Sequence, residues 1–264
     1  MPESALNRPI AVFDAGIGSY AIVAEIQRRL PRQDVIYFAD RASFPYGSKG
    51  PDELAEVMAR TLRFLEGFAP SAIVMASNAP SITVLERVRP LTTLPLFGVF
   101  PPLAEALALA PHGKVGIMGV RSLIESDELR DFVAKQTSAP ETVSLIDASA
   151  MVELVESGAF LFDPEGTQAQ VDAFVKELHR RVPGLEVLTL SSTHLPWLKG
   201  FFETASPDCH FLDPAETIVA GLGGGTPGSG RIRALVTEDE RYSLADFQRM
   251  LARLGVELAL EKVA

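Results

Sequence analysis

The chain alternates short apolar runs with amphipathic stretches of helical spacing, joined by brief polar turns. This alternation admits few folds. Strand, helix, strand in close succession implies parallel sheets with helices on both faces. Ile10 to Phe13 reads as a strand and Tyr20 to Leu30 as a helix. Asp34 to Phe38 is a second strand. Pro51-Asp52, a proline and an acid in a first turn, opens a long helix to about Phe68. The strand Ser71–Ala76, a helix Ser81–Val88 and the strand Leu94–Val99 follow. A second series starts near Pro101: helix Leu103–Leu109, strand Lys114–Met118, helix Ser122–Lys135, strand Thr142–Ile146, helix Glu165–Arg181 and strand Leu185–Leu190. Asp213-Pro214 then opens a helix through Gly221, and Gly223 to Gly230 reads as a flexible loop. Strand Ile232–Val236 and helix Leu244–Leu254 close the chain. These strands are too many for one ordinary sheet. Two similar α/β domains with a cleft between them fit better, residues 1–98 with 213–264 and residues 99–212.

Charge and cysteine usage remove several classes of function. The net charge is −10, against the basic surface that nucleic acid or an anionic membrane selects. The single cysteine, Cys209, allows no disulfide framework and no cysteine-based metal site, and it reads as a buried structural thiol. The start, Met1 to Pro9, has no apolar targeting core, and no apolar run reaches ~18 residues. A cytoplasmic protein is the expectation.

Ligands in such folds bind outside the carboxyl ends of strands. Asp14, Asp40, Ser77 and Ser192 all stand just after strand-like runs. Ser77 opens the turn Ser77-Asn78-Ala79-Pro80-Ser81, and Ser192 lies in Ser191-Ser192-Thr193-His194-Leu195-Pro196. Two strand ends presenting a small nucleophile-type residue suggest two half-sites. Thiols there would suit two-base proton transfer. Alkyl hydroxyls titrate far higher and need an activating partner. The two serines are therefore acid–base groups, ligand hydrogen-bonders or turn residues, with hydrogen bonding favoured. Asp14 reads as a base or amine ligand, or as a carboxylate tying down the turn. His194 either exchanges protons near neutral pH or bonds the backbone. His112, His179 and His210 lie in less suggestive surroundings, and nothing has metal-ligand spacing. Asp40 reads as loop support. Tyr46-Gly47 and Asn78 offer neutral hydrogen bonds suited to a carboxylate. Gly16-Ile17-Gly18 is only a fragment of a dinucleotide fingerprint, because Ala21 holds its last position.

Taken in order, Ala11–Gly18, Tyr37–Gly47, Ala76–Ser81, Val115–Gly119, Leu190–Pro196 and Asp213-Pro214 resemble the glutamate racemases of the aspartate/glutamate racemase superfamily over nearly the whole length. The resemblance implies two three-layer α/β domains related by a pseudo-twofold axis, with the site in the cleft. It implies a homodimer, no cofactor, and a small carboxylate or amino-acid ligand. In that family two cysteines remove and return the α-proton. Ser77 and Ser192 fall on those positions, and Asp14 and His194 on the assisting ones. Tyr46, Gly47, Asn78 and Thr193 match ligand-binding positions. Ala15 and Ala79 stand where the family has a serine and a threonine, Ser43 where it has an arginine, and Phe100-Pro101 where it has isoleucine–glutamate. These changes describe a natural divergent member. Three functions follow: an isomerase or lyase of altered chemistry, a non-catalytic metabolite-sensing or protein-binding module, or a glutamate racemase that uses serines.

Overall fold

The computed structural model describes residues 6–111, 113–238 and 240–263. Met1–Ala5 and His112, both considered above, lie outside the described residues. The chain divides into two compact units, residues 1–99 with 215–264 and residues 100–214. The described strands are β1 (Ile10–Asp14), β2 (Val35–Asp40), β3 (Ala72–Met75), β4 (Leu96–Gly98), β5 (Lys114–Gly119), β6 (Val143–Asp147), β7 (Leu185–Leu190), β8 (His210–Leu212), β9 (Ile232–Thr237) and β10 (Leu260–Lys262).

In the first unit the strands run β10-β9-β2-β1-β3-β4, every pair parallel. One face is filled by Ala11, Phe13, Ile36, Phe38, Ile73 and Met75, packed on the helix Pro51–Glu66. That helix buries Leu54, Val57, Met58, Thr61, Leu62 and Leu65, the single stripe its spacing dictates. Each large apolar side chain buried there contributes about 1.5–3 kcal/mol. The opposite face is buried too: Val12, Tyr37 and Val74 are inaccessible. Tyr37 packs on Tyr20 and Phe247, with ring centroids 5.7 and 6.5 Å away, so the helices Tyr20–Arg29 and Leu244–Arg253 cover it. Three layers result, as continuous apolar strands require. The second unit carries the sheet β6-β5-β7-β8, again all parallel.

Several local expectations change. Ser81–Val88 is not one helix: Asn78–Thr83 and Leu85–Val88 are separated by Val84, whose φ of −130° and ψ of −5° leave the helical region. Ser122–Lys135 is likewise two helices, Arg121–Ile124 and Asp127–Gln136. Ser126 caps the second by accepting from the Leu129 amide, and Asp127 and Glu128 fill its first turn. Sequence reasoning missed the helices Ser149–Glu156, Ala159–Phe162 and Lys199–Ala205 and the strands β8 and β10.

The glycine-rich segment Gly223–Gly230 is clamped rather than free. Asp34 Oδ1 accepts from the Ser229 amide and hydroxyl and from the Arg231 amide, and Oδ2 accepts from the Asn7 amide. Gln33 Oε1 accepts from the Thr226 amide. Gly230 is required there: its φ is +73°, and a Cβ would overlap the Pro31 carbonyl oxygen.

Candidate functional site

In the first unit, Asp14 is the last residue of β1 and is 3% exposed. Ala15 follows it, and its carbonyl oxygen accepts from Arg41 Nη1 at 3.5 Å. Arg41 is itself buried, with its guanidinium 4.9 Å from the Phe247 ring centroid and 5.2 Å from that of Tyr242. The turn that begins at Asp14 is thereby tied to the loop after β2.

That loop carries Tyr46 and Gly47 in the 3-10 turn Tyr46–Ser48, where the first amides lack acceptors within the turn itself. The Tyr46 hydroxyl points inward and donates to Asp40 Oδ2 at 3.2 Å. The Thr237 hydroxyl donates to Asp40 Oδ1 at 3.0 Å and accepts from the Ala42 amide. Asp40 therefore braces the loop from beneath, as its sequence context suggests. Burial pushes the Tyr46 phenol well above its ordinary range, and the charges of Asp40 and Asp14 raise it further. The Asp14 carboxylate thus stands close enough to Tyr46 for its charge to be felt, and Tyr46 stays a neutral donor.

Ser77 and Asn78 lie just past β3. Ser77 occupies an N-cap position with extended backbone, yet its hydroxyl makes no capping bond. Its carbonyl accepts from the Ser81 hydroxyl at 2.6 Å, and Ser81 Oγ also takes the Val99 amide. Ser81 therefore fixes the Ser77 turn against the edge of β4, a role the sequence reading did not give it. Ala79 packs one residue further on and is 8% exposed. Asn78 is 2% exposed and donates Nδ2 to the Val99 carbonyl. Because a carbonyl can only accept, that bond fixes the amide orientation. The Asn78 Oδ1 is then buried without a partner among the described residues. Such an acceptor costs about 1–3 kcal/mol unless a donor arrives.

In the second unit, Ser192, Thr193 and His194 follow β7, all buried. Ser192 Oγ accepts weakly from the His194 amide at 3.5 Å. The turn is held from below: Ser191 donates its amide to the Met118 carbonyl, and its hydroxyl meets Thr189 Oγ1 at 2.8 Å. Gly119 allows this approach, since a Cβ there would press 3.2 Å from the Ser191 carbonyl. His194 Nε2 lies 2.8 Å from Glu156 Oε2, and both side chains are almost wholly inaccessible. Buried acids survive only with a partner, and this one is paired to the only histidine the sequence singles out. Glu156 is the functional-type residue that sequence reasoning missed. It sits four residues after Val152, on the buried face of an otherwise apolar helical stretch, and an acid in that position was the available signal. His179 bonds Ser206, and Cys209 is buried with its thiol pushed up to about 12 by desolvation, so it is inert. Among the described residues no three potential metal ligands cluster, and no helix is long and apolar enough to cross a membrane.

Each of the two units is a parallel α/β unit: the first carries the Asp14 carboxylate at the end of β1 and, just past β3, the Asn78 oxygen that has no partner among the described residues, and the second carries a buried acid–imidazole pair that includes His194 just past β7. The chain belongs to the Asp/Glu/Hydantoin racemase family, whose pattern matches residues 19–222. It is 32% identical over 253 residues to the glutamate racemase of Deinococcus radiodurans, covering 91% of this chain and 85% of that protein. Among solved structures it resembles glutamate racemase from Thermus thermophilus in complex with beta-chloro-D-alanine (30% identity, TM-score 0.78, covering 97% of this chain and 96% of that one). It also resembles the Francisella tularensis enzyme in complex with D-glutamate, at 25% identity and TM-score 0.81, with 98% of each chain covered.

Proposed function

We propose that this protein is a cofactor-independent isomerase-type enzyme acting at the α-carbon of a small amino acid or carboxylic acid. The observation that carries it is the buried, partnerless Asn78 Oδ1. It asks for a donor, and a ligand ammonium supplies one. The amides of Tyr46 and Gly47 take the ligand carboxylate. Ser77, whose hydroxyl makes no cap, and Ser192 hold the ligand by hydrogen bonds, with Thr193 beside them. Proton transfer falls to His194, oriented and charge-balanced by Glu156, and to Asp14 in the other unit. One takes the α-proton as base. The other, protonated, returns a proton from the opposite face. Ala15 and Ala79 widen the site relative to a hydroxyl-lined one and favour a substrate other than glutamate. A cytoplasmic homodimer is the assembly this reading carries.

A second reading is glutamate racemisation itself, favoured by the relatives named above. One experiment separates the two. Loss of α-proton signal is followed in deuterium oxide for D- and L-glutamate and D- and L-aspartate. The proteins are wild type, Ser77→Cys/Ser192→Cys and His194→Asn. Wild type exchanges slowly, His194→Asn not at all, and the double-cysteine variant about 10²–10⁴-fold faster than wild type. Fast exchange of glutamate by wild type establishes the second reading. No exchange in any of the three removes glutamate and aspartate as substrates, and the second reading with them, and leaves another ligand or pure binding.

A further inference from the structure

The first unit holds a cavity of about 300 Å³ between the helix Pro51–Glu66 and the ends of β2 and β9. It shares no lining residue with Asp14, Ser77 or Asn78. Phe38, Val57 and Phe64 give it an apolar wall, and Ser43, Thr61 and Thr237 line it with hydroxyls. Two ionic groups also line it. Asp40 is 6% exposed; its carboxylate is held by two hydroxyls, and no cation among the described residues pairs with it. A carboxylate has room for about four hydrogen bonds, and a buried one without a counter-charge is costly. Arg60 is exposed beside the opening and makes no ion pair among the described residues. An anion, a cation and an aromatic wall around a volume at the small end of ligand pockets complement one class of molecule. We propose that this cavity binds an apolar α-amino acid, with its ammonium on Asp40, its carboxylate on Arg60 and its side chain against Phe38 and Phe64. Asp40 also holds the Tyr46 hydroxyl. An occupant drawing on Asp40 therefore engages the same carboxylate that accepts from Tyr46. The binding claim stands apart from the enzymatic reading, because its test reads binding and not turnover.

The test titrates the full chain with L-phenylalanine, phenethylamine and 3-phenylpropionate and follows backbone amides by NMR. All three move the amides of Ala42, Thr61 and Thr237, and L-phenylalanine binds about 10-fold tighter than either singly charged probe. Asp40→Asn weakens L-phenylalanine and phenethylamine by about 10-fold and spares 3-phenylpropionate. Arg60→Gln weakens L-phenylalanine and 3-phenylpropionate by about 10-fold and spares phenethylamine. Ala42 lines the cavity from an exposed position, so Ala42→Phe fills it without touching the core and abolishes binding of all three. If Asp40→Asn does not fold, Arg60→Gln and Ala42→Phe carry the test. The proposal fails if the three probes bind alike, if Ala42→Phe binds as wild type does, or if L-phenylalanine moves only the amides of Asp14, Ser77 and Asn78.

Discussion

Replacing Asp34 with asparagine should unlatch the glycine-rich segment and remove part of the acid sensitivity of folding. Asp34 is 1% exposed, and four donors converge on its two oxygens at 2.8–3.1 Å. Burial works against its charge, but the amides of Asn7, Arg231 and Ser229 and the Ser229 hydroxyl outweigh it and hold the carboxyl at about 2, against an ordinary 3.8. Such a difference corresponds at most to about 2.5 kcal/mol, and solvent screening at the end of the sheet brings it to roughly 1–2 kcal/mol. The sign follows from the direction. A carboxyl depressed in the folded state stabilises fully above its unfolded value, near 3.8, and loses that contribution as pH falls toward about 2. Asparagine adds a second cost, since its NH₂ must face an amide donor wherever it points. The total expected at pH 7 is about 2–3 kcal/mol. Urea unfolding of both proteins by circular dichroism, with amide exchange at Ser229 and Arg231, measures it. Other carboxyls titrate in the same range, so the quantity to read is the difference between the proteins. That difference should shrink between about pH 5 and pH 2. A pH-independent difference, or wild-type stability at pH 7, refutes the reasoning.

Three further outcomes are expected. Gly98→Ala places a Cβ 2.8 Å from Leu85 Cδ2 and 2.9 Å from Ser81 Oγ; it should cost about 1–3 kcal/mol in chemical denaturation, and unchanged stability would show that the Ser81 brace yields freely. Cys209, with its thiol raised to about 12, should resist iodoacetamide at pH 8 and react once urea unfolds the protein, whereas fast labelling of the native state contradicts the burial argument. Glu156→Gln keeps the volume and an acceptor for His194 but removes the charge; α-proton exchange should fall on the order of 10²-fold with KM held and the pH profile displaced, read in the double-cysteine background if wild type is slow. Wild-type exchange in Glu156→Gln would make the pair purely structural.

The architecture was legible because it is written locally. Apolar runs such as Val35–Asp40 are buried along their whole length, and only strands covered on both faces need that. The helix Pro51–Glu66 announced itself by Pro51 at its start and one apolar stripe. What failed was punctuation. Ser126-Asp127-Glu128 is a helix start, but it interrupts a segment apolar enough to read as continuous. The Gly223–Gly230 segment looked free because glycines loosen a chain when nothing holds them. What holds this one is Asp34, roughly 195 residues away in sequence. No local pattern carries that information.

The same distinction governs the site. Strand-end residues, Asp14, Ser77, Ser192 and His194, can be picked out because the fold class says where ligands go. Their partners cannot, because partnership is tertiary. His194 is bonded to Glu156, 38 residues upstream, and Asn78 keeps an oxygen without a partner among the described residues because Val99 claims its nitrogen. Replacement of thiols by hydroxyls therefore need not silence such a site. A hydroxyl at Ser192 is a poor base by itself, but two residues on stands an imidazole already joined to a buried carboxylate. In the first unit, β1, which pairs with the strand before Ser77, ends in the carboxylate of Asp14. In the proposed mechanism the two proton-transfer groups are chemically unlike, one an imidazole and one a carboxylate. If each removes the proton from one face, the two directions of exchange should differ in rate and in pH dependence. Measuring washout separately from each enantiomer would reveal that asymmetry, and equal profiles for both would mean that a single group serves both faces.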